Sequence, residues 1–395
     1  MFVLLIYLLF FLFYLTFEIL LLSKWRQFIP LVICVTGTRG KSSVTRLIAS
    51  VLRESGRKVL AKTTGSQARY ILPDGSEVDF PRWNNPSVIE QKKVLKKAFA
   101  LKVDCVVTEI MSIKPENHYI EVQKILKPDI IVITNVRCDH IEEMGKTKED
   151  IASVISLDIK EKAKIFIPEK ECKSPFISAV KCTGSELIKV NSGVSSYILN
   201  LNDNLVKNEF QDNIDITYSV CKEIGIEPEV IFQGISNAQP DIGRLKVWRY
   251  QYPEAKKICY FVNGFAANDP ESTYLVVKKV MGILPFTGNK IIGLLNLRED
   301  RGDRTLQWID AVNSGKFDFF KKIYVTGRHS KVFKRKIKRK EGLIITLGKM
   351  TPDKITENII YNSEAQSVIF GFGNMGGTGK YIVEYWSKIG TQYEL

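Results

Sequence analysis

Apolar positions along this chain follow two patterns. The first is one nearly unbroken run, Phe2 to Leu22, in which only Thr16 and Glu18 are polar. About 20 such residues cross a bilayer as a helix. The second pattern begins at residue 31. Short apolar runs of strand length recur at Leu31–Val35, Val59–Lys62, Asp104–Glu109, Asp129–Thr134 and Ala163–Ile167. Stretches with helical spacing, notably Val88–Ala100 and Lys146–Ile159, lie between them. This alternation predicts a mostly parallel sheet covered by helices. Arg69–Leu72 and Glu77–Phe80, joined by Pro73-Asp74-Gly75, predict an inserted hairpin. Pro, Gly, Asn and Gln then cluster between Gly225 and Pro240. A second series of apolar runs follows, at Ile258–Val262, Lys290–Leu295, Ile323–Thr326, Leu343–Leu347 and Ser367–Phe370. The chain thus reads as two α/β units behind an apolar segment, with no internal repeat.

The ends of the apolar segment decide how it sits. Lys24 and Arg26 flank its C-terminal end, and neither a basic leader nor a small-x-small cleavage site accompanies it. The expectation is an uncleaved single-pass anchor in the cell membrane, with the body on the cytoplasmic side. Glu18 is tolerable near the inner end, where a group on another membrane helix is its expected partner. Seven cysteines are scattered without a CxxC pair, which excludes a disulfide frame or zinc ribbon. The net charge of +14 calls for a polyanionic substrate, anionic lipid or nucleic acid. The densest basic run, Lys331 to Lys340, carries no aromatic recognition pattern and reads as the solvated face of a helix. Nucleic acid is therefore the least favoured partner.

The first apolar run after the anchor ends in Gly37-Thr38-Arg39-Gly40-Lys41-Ser42-Ser43, and a helical pattern follows at Val44, Leu47, Ile48, Val51 and Leu52. Glycines in such a turn let backbone N–H groups face a phosphate at a helix N-terminus, with Lys41 on the β/γ-phosphates and Ser42 on Mg²⁺. The loop is shorter than the full P-loop pattern, since Val35 stands where that pattern has glycine. Glu109 ends another strand run, where a carboxylate can hold Mg²⁺. Asn135 to His140 ends a third, and His140 could hold a second cation or meet the reacting phosphate. Gly243-Arg244 lies at the boundary, where an arginine could clamp a phosphoryl group. Asn268, before Asp269-Pro270, could contact a nucleotide base or ribose, although the dipeptide also fits a plain helix start. The loop Arg298 to Arg304, with Asp300, could meet ribose and phosphate or simply be solvated. Gly371-x-Gly373-x-x-Gly376 imitates a dinucleotide fingerprint but reads without the βαβ partner strand that such a fingerprint needs, and the expectation is a Gly-rich loop over a bound nucleotide or an acyl acceptor.

These residues, in this order, resemble the Mur ligase family, ATP-dependent amide ligases that include folylpolyglutamate synthase. The family's short loop matches Gly37–Ser42, its metal-binding glutamate Glu109, and its Asn-x-x-x-Asp-His element Asn135–His140. Its Gly-Arg element resembles Gly243-Arg244, and its nucleotide-contacting asparagine resembles Asn268. The anchor and the TNVRCDHIEEMG wording are most similar to the branch that builds γ-linked polyglutamate capsules. The resemblance implies an α/β fold with a membrane helix (1–23), a parallel-sheet ATP-binding domain (24–243) and a smaller Rossmann-like domain (244–395). It implies ATP-driven addition of glutamate to an anionic poly-γ-glutamate chain through an acyl phosphate, with Mg²⁺ as cofactor and small integral-membrane subunits as partners. Homo-oligomerisation stays open. Lys41, Glu109, His140 and Arg244 would be catalytic. Residues 37–43, Asn268, Asp300 and Arg304 would bind the nucleotide, and Ser42, Glu109 and His140 the metal.

One departure stands out. Where many members carry a carbamylated lysine, about fifteen residues beyond the histidine, this chain has Ile155, and Lys160 and Lys162 are out of phase. A second metal is then held differently or is absent. The competing reading from another class is a membrane-tethered nucleotide switch or regulatory ATPase without ligase activity.

Overall fold

The computed structural model describes residues 2–65, 68–82, 86–196, 209–239, 245–253, 257–284, 291–299, 302–338 and 342–393. The chain forms two compact units, Met1–Asp241 and Ile242–Leu395. In the first, the order is α1 (Phe2–Phe28), β1 (Leu31–Thr36), α2 (Lys41–Glu54), β2 (Val59–Thr63), β3 (Arg69–Ile71), β4 (Glu77–Asp79), α3 (Glu90–Leu101) and β5 (Cys105–Glu109). There follow α4 (Pro115–Tyr119), continued by a π-helical stretch (Ile120–Leu126), then β6 (Ile130–Ile133), α5 (Ile141–Met144), α6 (Lys148–Ile155), β7 (Lys164–Pro168), α7 (Ser174–Thr183), β8 (Glu186–Val190), α8 (Gln211–Glu223) and α9 (Pro228–Ser236).

Eight strands form one sheet in the order β4-β3-β2-β5-β1-β6-β7-β8. From β2 to β8 every pair is parallel. The expected hairpin is β3–β4, which extends the β2 edge antiparallel. The buried sheet has two apolar faces, as period-two side-chain alternation requires. Val32 and Cys34 of β1 pack on the face of α3, the π-helical stretch, α6 and α7. Ile33 and Val35 pack on the face of α2, α8 and α9. The connection after β1 leaves by one face and the connection after β5 by the other. The central strands β5, β1 and β6 therefore open a crevice at their carboxyl ends.

The first helix is long and apolar enough to cross a membrane, by length and composition. It continues past residue 23 to Phe28, and one stripe of it docks on the body. Leu15, Glu18, Leu21, Leu22 and Trp25 are half-buried, while most of their neighbours are exposed. Leu22 and Trp25 pack against the core. Phe28 meets Phe99 edge-on at 4.9 Å between ring centroids. Arg26 bonds the Asp129 carboxylate and the carbonyls of Leu126, Lys127 and Ile29. Glu18 pairs with Lys92 of α3 at 2.7 Å, so its partner in this fold is the protein's own body and not a second membrane helix.

The second unit runs β9 (Val247–Tyr252), β10 (Lys257–Asn263), α10 (Pro270–Ile283), β11 (Ile291–Asn296), α11 (Gly302–Asn313), β12 (Phe320–Thr326), α12 (Ser330–Lys336), β13 (Ile344–Thr346), α13 (Pro352–Tyr361), β14 (Gln366–Gly373), α14 (Thr378–Ile389) and β15 (Thr391–Tyr393). Its seven strands are ordered β13-β12-β11-β14-β10-β9-β15. They are parallel from β13 to β10, and β9 and β15 close one side antiparallel. Apolar clusters again cover both faces, with Trp308 and Trp386 fully buried on opposite sides. The basic run forms part of α12, whose Phe333 is buried while its lysines face out. All seven cysteines are free thiols.

The covering helices also set a packing limit. A β-carbon on Gly234 of α9 would lie 2.4 Å from the Val51 Cα of α2. Gly234→Val should push the two helices apart and cost about 1–3 kcal/mol. Gly282→Ala, in α10 with open space around it, should instead gain about 0.4–1 kcal/mol. Denaturant unfolding of the two variants checks this contrast; equal stabilities would contradict it.

Candidate active site

The Gly-rich loop is shaped from outside as much as by its own glycines. Gly37 and Gly40 adopt φ of 114° and 82°, conformations that L side chains avoid. A β-carbon at Gly37 would lie 2.4 Å from Thr134 Oγ1 and 2.9 Å from the Asn135 carbonyl. At Gly40 it would lie 2.7 Å from Asn213 Oδ1. The loop that follows β6 holds this turn closed. Thr134 Oγ1 donates to the Arg39 carbonyl at 2.6 Å, and Asn135 Nδ2 donates to the same carbonyl at 2.9 Å. Asn135 Oδ1 accepts from Arg39 N–H, and the Asn135 carbonyl accepts from Thr38 N–H. Thr38 Oγ1 in turn accepts from Arg137 N–H. Asn135 of the Asn-x-x-x-Asp-His element is thus a clamp on the loop.

Inside the turn, Lys41 Nζ donates to the Gly37 carbonyl at 2.6 Å. Burial lowers the Lys41 pKa; Glu109 opposes this, and Arg39 reinforces it. Ser42 and Ser43 occupy the first turn of α2, whose N-terminus carries the positive end of the helix dipole. Glu109, at the end of β5, pairs in register with Val35 on β1. Its Oε2 accepts from Thr64 Oγ1 at 2.6 Å, while its Oε1 is buried without a hydrogen-bond partner. A fixed carboxylate with one orphaned oxygen, on the strand beside the one that leads into the Gly-rich loop, fits a hard cation such as Mg²⁺.

His140 follows the same clamp in a left-handed conformation, φ 48°. Its N–H donates to Asp139 Oδ1, and Asp139 also pairs with Arg39 at 3.1 Å. The Asp-His end of the element is therefore tied to the Gly-rich loop. Among the described residues no three His, Cys, Asp or Glu side chains gather as a metal cluster.

Three supporting groups have no motif signal. Gln91 of α3, fully buried, donates from Nε2 to the Glu109 carbonyl at 3.0 Å and to Glu121 Oε1 at 2.6 Å. Glu121 accepts in turn from the backbone N–H groups of Met111 and Ser112. It fixes the loop that leaves Glu109. Asp158, three residues past the position of the family's lysine, accepts from Thr36 Oγ1 at 2.6 Å and bonds His118 Nδ1 at 2.8 Å. Thr36 directly precedes Gly37, so this buried trio anchors the loop's entry. Only the helix periodicity around Gln91 and the apolar context of Asp158 mark them in sequence.

The remaining candidates divide. Arg244 and Asp300 lie outside the described residues. Asn268 and Arg304 belong to the second unit. Asn268 directly precedes Asp269, which caps α10 by accepting from Ser272 N–H at 2.8 Å. Arg304, buried on α11, donates to Asn374 Oδ1 at 3.2 Å. Asn296 holds the carbonyls of Asn374 and Gly376. The glycines of the fingerprint-like loop answer to this packing, since a β-carbon on Gly373 would meet the Asn296 carbonyl at 2.5 Å.

The Asp158–His118 pair gives a pH signature. Burial pushes the His118 pKa down, but the adjacent Asp158 carboxylate outweighs it and raises the pKa above the ordinary 6.5. The charged pair therefore stabilises the fold below that value, and its contribution fades as pH rises through the raised pKa. The stability gap between wild type and His118→Gln should be widest near pH ~6 and narrow towards pH ~9 in unfolding titrations. A gap that widens with pH would contradict the pair.

Comparison with known proteins fits this geometry. Residues 35–239 match the Mur ligase middle domain, and residues 249–389 match the poly-gamma-glutamate synthase CapB C-terminal domain. The capsule biosynthesis protein CapB of Bacillus anthracis is 34% identical over 283 residues, covering 71% of this chain and 60% of that protein. PGA synthase CapB of Bacillus subtilis (strain 168) is 34% identical over 288 residues, covering 72% of each. Among solved structures, a bifunctional folylpolyglutamate synthase/dihydrofolate synthase of Yersinia pestis, complexed with AMPPNP and Mn ion, superposes with a TM-score of 0.67 at 13% identity. The superposition covers 93% of this chain and 92% of that one.

Proposed function

The chain belongs to the Mur ligase family and to its CapB branch, and on that footing we propose that it is an ATP-dependent amide ligase that extends a γ-linked polyglutamate chain. The observation that carries this reading is the joining of three strand ends in one site: a clamped phosphate loop on β1, Glu109 on β5 and the Asp-His element after β6. The CapB likeness favours this over a membrane-tethered switch.

A carboxylate is a poor electrophile and needs activation before an amine can attack it. A terminal carboxylate oxygen of the polymer attacks the γ-phosphorus of ATP, the bond to the β-phosphate oxygen breaks, and ADP leaves. The amino group of glutamate then attacks the acyl phosphate carbon. The tetrahedral intermediate collapses to an amide and inorganic phosphate, with loss of the amine proton. The backbone N–H groups of residues 37–43 and the Lys41 ammonium oppose the charge on the moving phosphoryl group. Mg²⁺ held by Ser42 and Glu109 would neutralise further phosphate charge. His140 is assigned to the acyl phosphate or to a second cation, Arg244 to the transferring phosphoryl group, and Asn268, Asp300 and Arg304 to the nucleoside. The first helix anchors the enzyme in the cell membrane with its body in the cytoplasm, beside small integral-membrane subunits. The charge of +14 suits a polyanionic product.

The test is ADP and phosphate release with Mg²⁺-ATP, with and without glutamate and short γ-glutamate chains. Release that requires glutamate, with longer chains appearing by mass, is expected; glutamate-independent hydrolysis would overturn the reading. Lys41→Ala should lower that turnover on the order of 10³-fold. Glu109→Gln should raise the Mg²⁺ concentration needed for half-maximal rate, whereas wild-type metal dependence would remove Glu109 from the metal site.

A further inference from the structure

The way α1 docks on the body fixes how deep the body sits, and this rests on the reading of α1 as a membrane span. The apolar run of α1 ends at Leu22, and its docked stripe begins at Leu15. The two overlap. If the whole docked stripe stood in water, only residues 2–14 of α1 would remain for lipid. At a helical rise of 1.5 Å per residue that is about 20 Å, well short of the roughly 30 Å hydrocarbon core. The segment from Leu15 to Leu22 must therefore lie at the inner lipid boundary, and whatever packs against it lies there too.

What packs against it is α3. Lys92, in the first turn of α3, pairs with Glu18, and Phe99, in its last turn, meets Phe28. The two helices thus run side by side in the same sense, with the start of α3 at the level of Glu18. The chemistry of that start suits a lipid headgroup layer. Ile89, directly before α3, is 57% exposed although apolar. The outward charges of α3 are all lysines: 92, 93, 96 and 97. Its one acid, Glu90, is buried and paired with Lys62 and Arg82. Lys93 and Lys97 rest their cations over the rings of Phe80 and Tyr70 at 5.9 and 5.0 Å, and Lys93 and Lys96 are exposed. A lysine stem along apolar surface with its ammonium at the interface is a favourable arrangement at a membrane boundary.

We propose that Ile89 and the lysine face of α3 form a membrane-contact surface that takes anionic phospholipid headgroups, so that the body lies against the inner leaflet. Ile89 enters the acyl boundary, and Lys93 and Lys96 meet headgroup phosphates. The attraction is electrostatic and screened over about 8–10 Å at physiological salt.

The full-length chain in nanodiscs tests this. Ile89→Trp should show tryptophan quenching by brominated phosphatidylcholine beyond that of wild type, which already carries Trp25. No additional quenching would overturn the contact, and would leave this face to a protein partner. Independently, lipid retained by the detergent-purified wild type should be enriched in phosphatidylglycerol over phosphatidylcholine. Lys93→Glu/Lys96→Glu should lower that enrichment at least two-fold, with glutamate-dependent ATP turnover in detergent unchanged. Equal retention of both lipids by the wild type would overturn the headgroup assignment. Alkaline extraction of membranes reports separately on α1: release of the protein refutes the span itself, whereas a retained protein without quenching at residue 89 refutes only the contact.

Discussion

The turn from β1 into α2 depends on one steric constraint. Thr134 and the backbone of Asn135 fill the space in which a β-carbon on residue 37 would sit, and Asn213 does the same at residue 40. Glycine is therefore favoured at residue 37 by its surroundings and its φ of 114°, and at residue 40 by its φ of 82°, and the turn keeps this shape while the β6 end stays beside β1. The clamp is reciprocal. The same carbonyl of Arg39 receives Thr134 and Asn135, and Arg39 itself reaches Asp139. The Gly-rich loop and the Asp-His element therefore form one connected unit rather than two motifs that happen to be neighbours. Such a connection suits catalysis by positioning and electrostatics, in which donors fixed before the reaction need no reorganisation during it.

Buried hydrogen bonds from Asp158, Gln91 and Glu121 tie this unit to the rest of the first domain. Asp158 grips Thr36 below the loop, and Gln91 with Glu121 grips the end of β5. Gln91 adjoins Lys92, whose side chain holds Glu18 of the first helix. The first turn of α3 thus touches the candidate metal ligand's strand on one side and α1 on the other. The first helix is continuous with the folded body, and nothing between Leu15 and Ile29 reads as a loose tether.

Much of this was legible in the sequence because it is periodic or local. The apolar spacing at Val44, Leu47, Ile48, Val51 and Leu52 forecast α2 and its buried face, and Pro73-Asp74-Gly75 forecast the β3–β4 hairpin. The strand runs before Gly37, Glu109 and Asn135 forecast three strand ends, and the ordering of their motifs forecast the family. Other features were not legible, each for a physical reason. Asn135 reads as part of a ligand motif, yet its side chain serves the backbone of residue 39, a contact across the sheet that no spacing encodes. Gln91, Glu121 and Asp158 sit among apolar neighbours and act through bonds to distant strands. Glu18 calls for a partner by its cost in lipid, but the sequence does not say that Lys92 is that partner. The antiparallel strands β9 and β15 depend on which edge of the sheet stays open, a property of the assembled fold.

In the proposed reaction phosphate leaves from an acyl phosphate and not from water attack on ATP. The direct test is to supply γ-glutamate chains whose terminal carboxylate carries ¹⁸O and to weigh the phosphate released during extension. Acyl-phosphate chemistry puts one ¹⁸O in each phosphate, delivered by the carboxylate oxygen that attacked phosphorus. Phosphate without label, formed while ATP is consumed, would mean that water is the nucleophile and that the site works as a nucleotidase or switch.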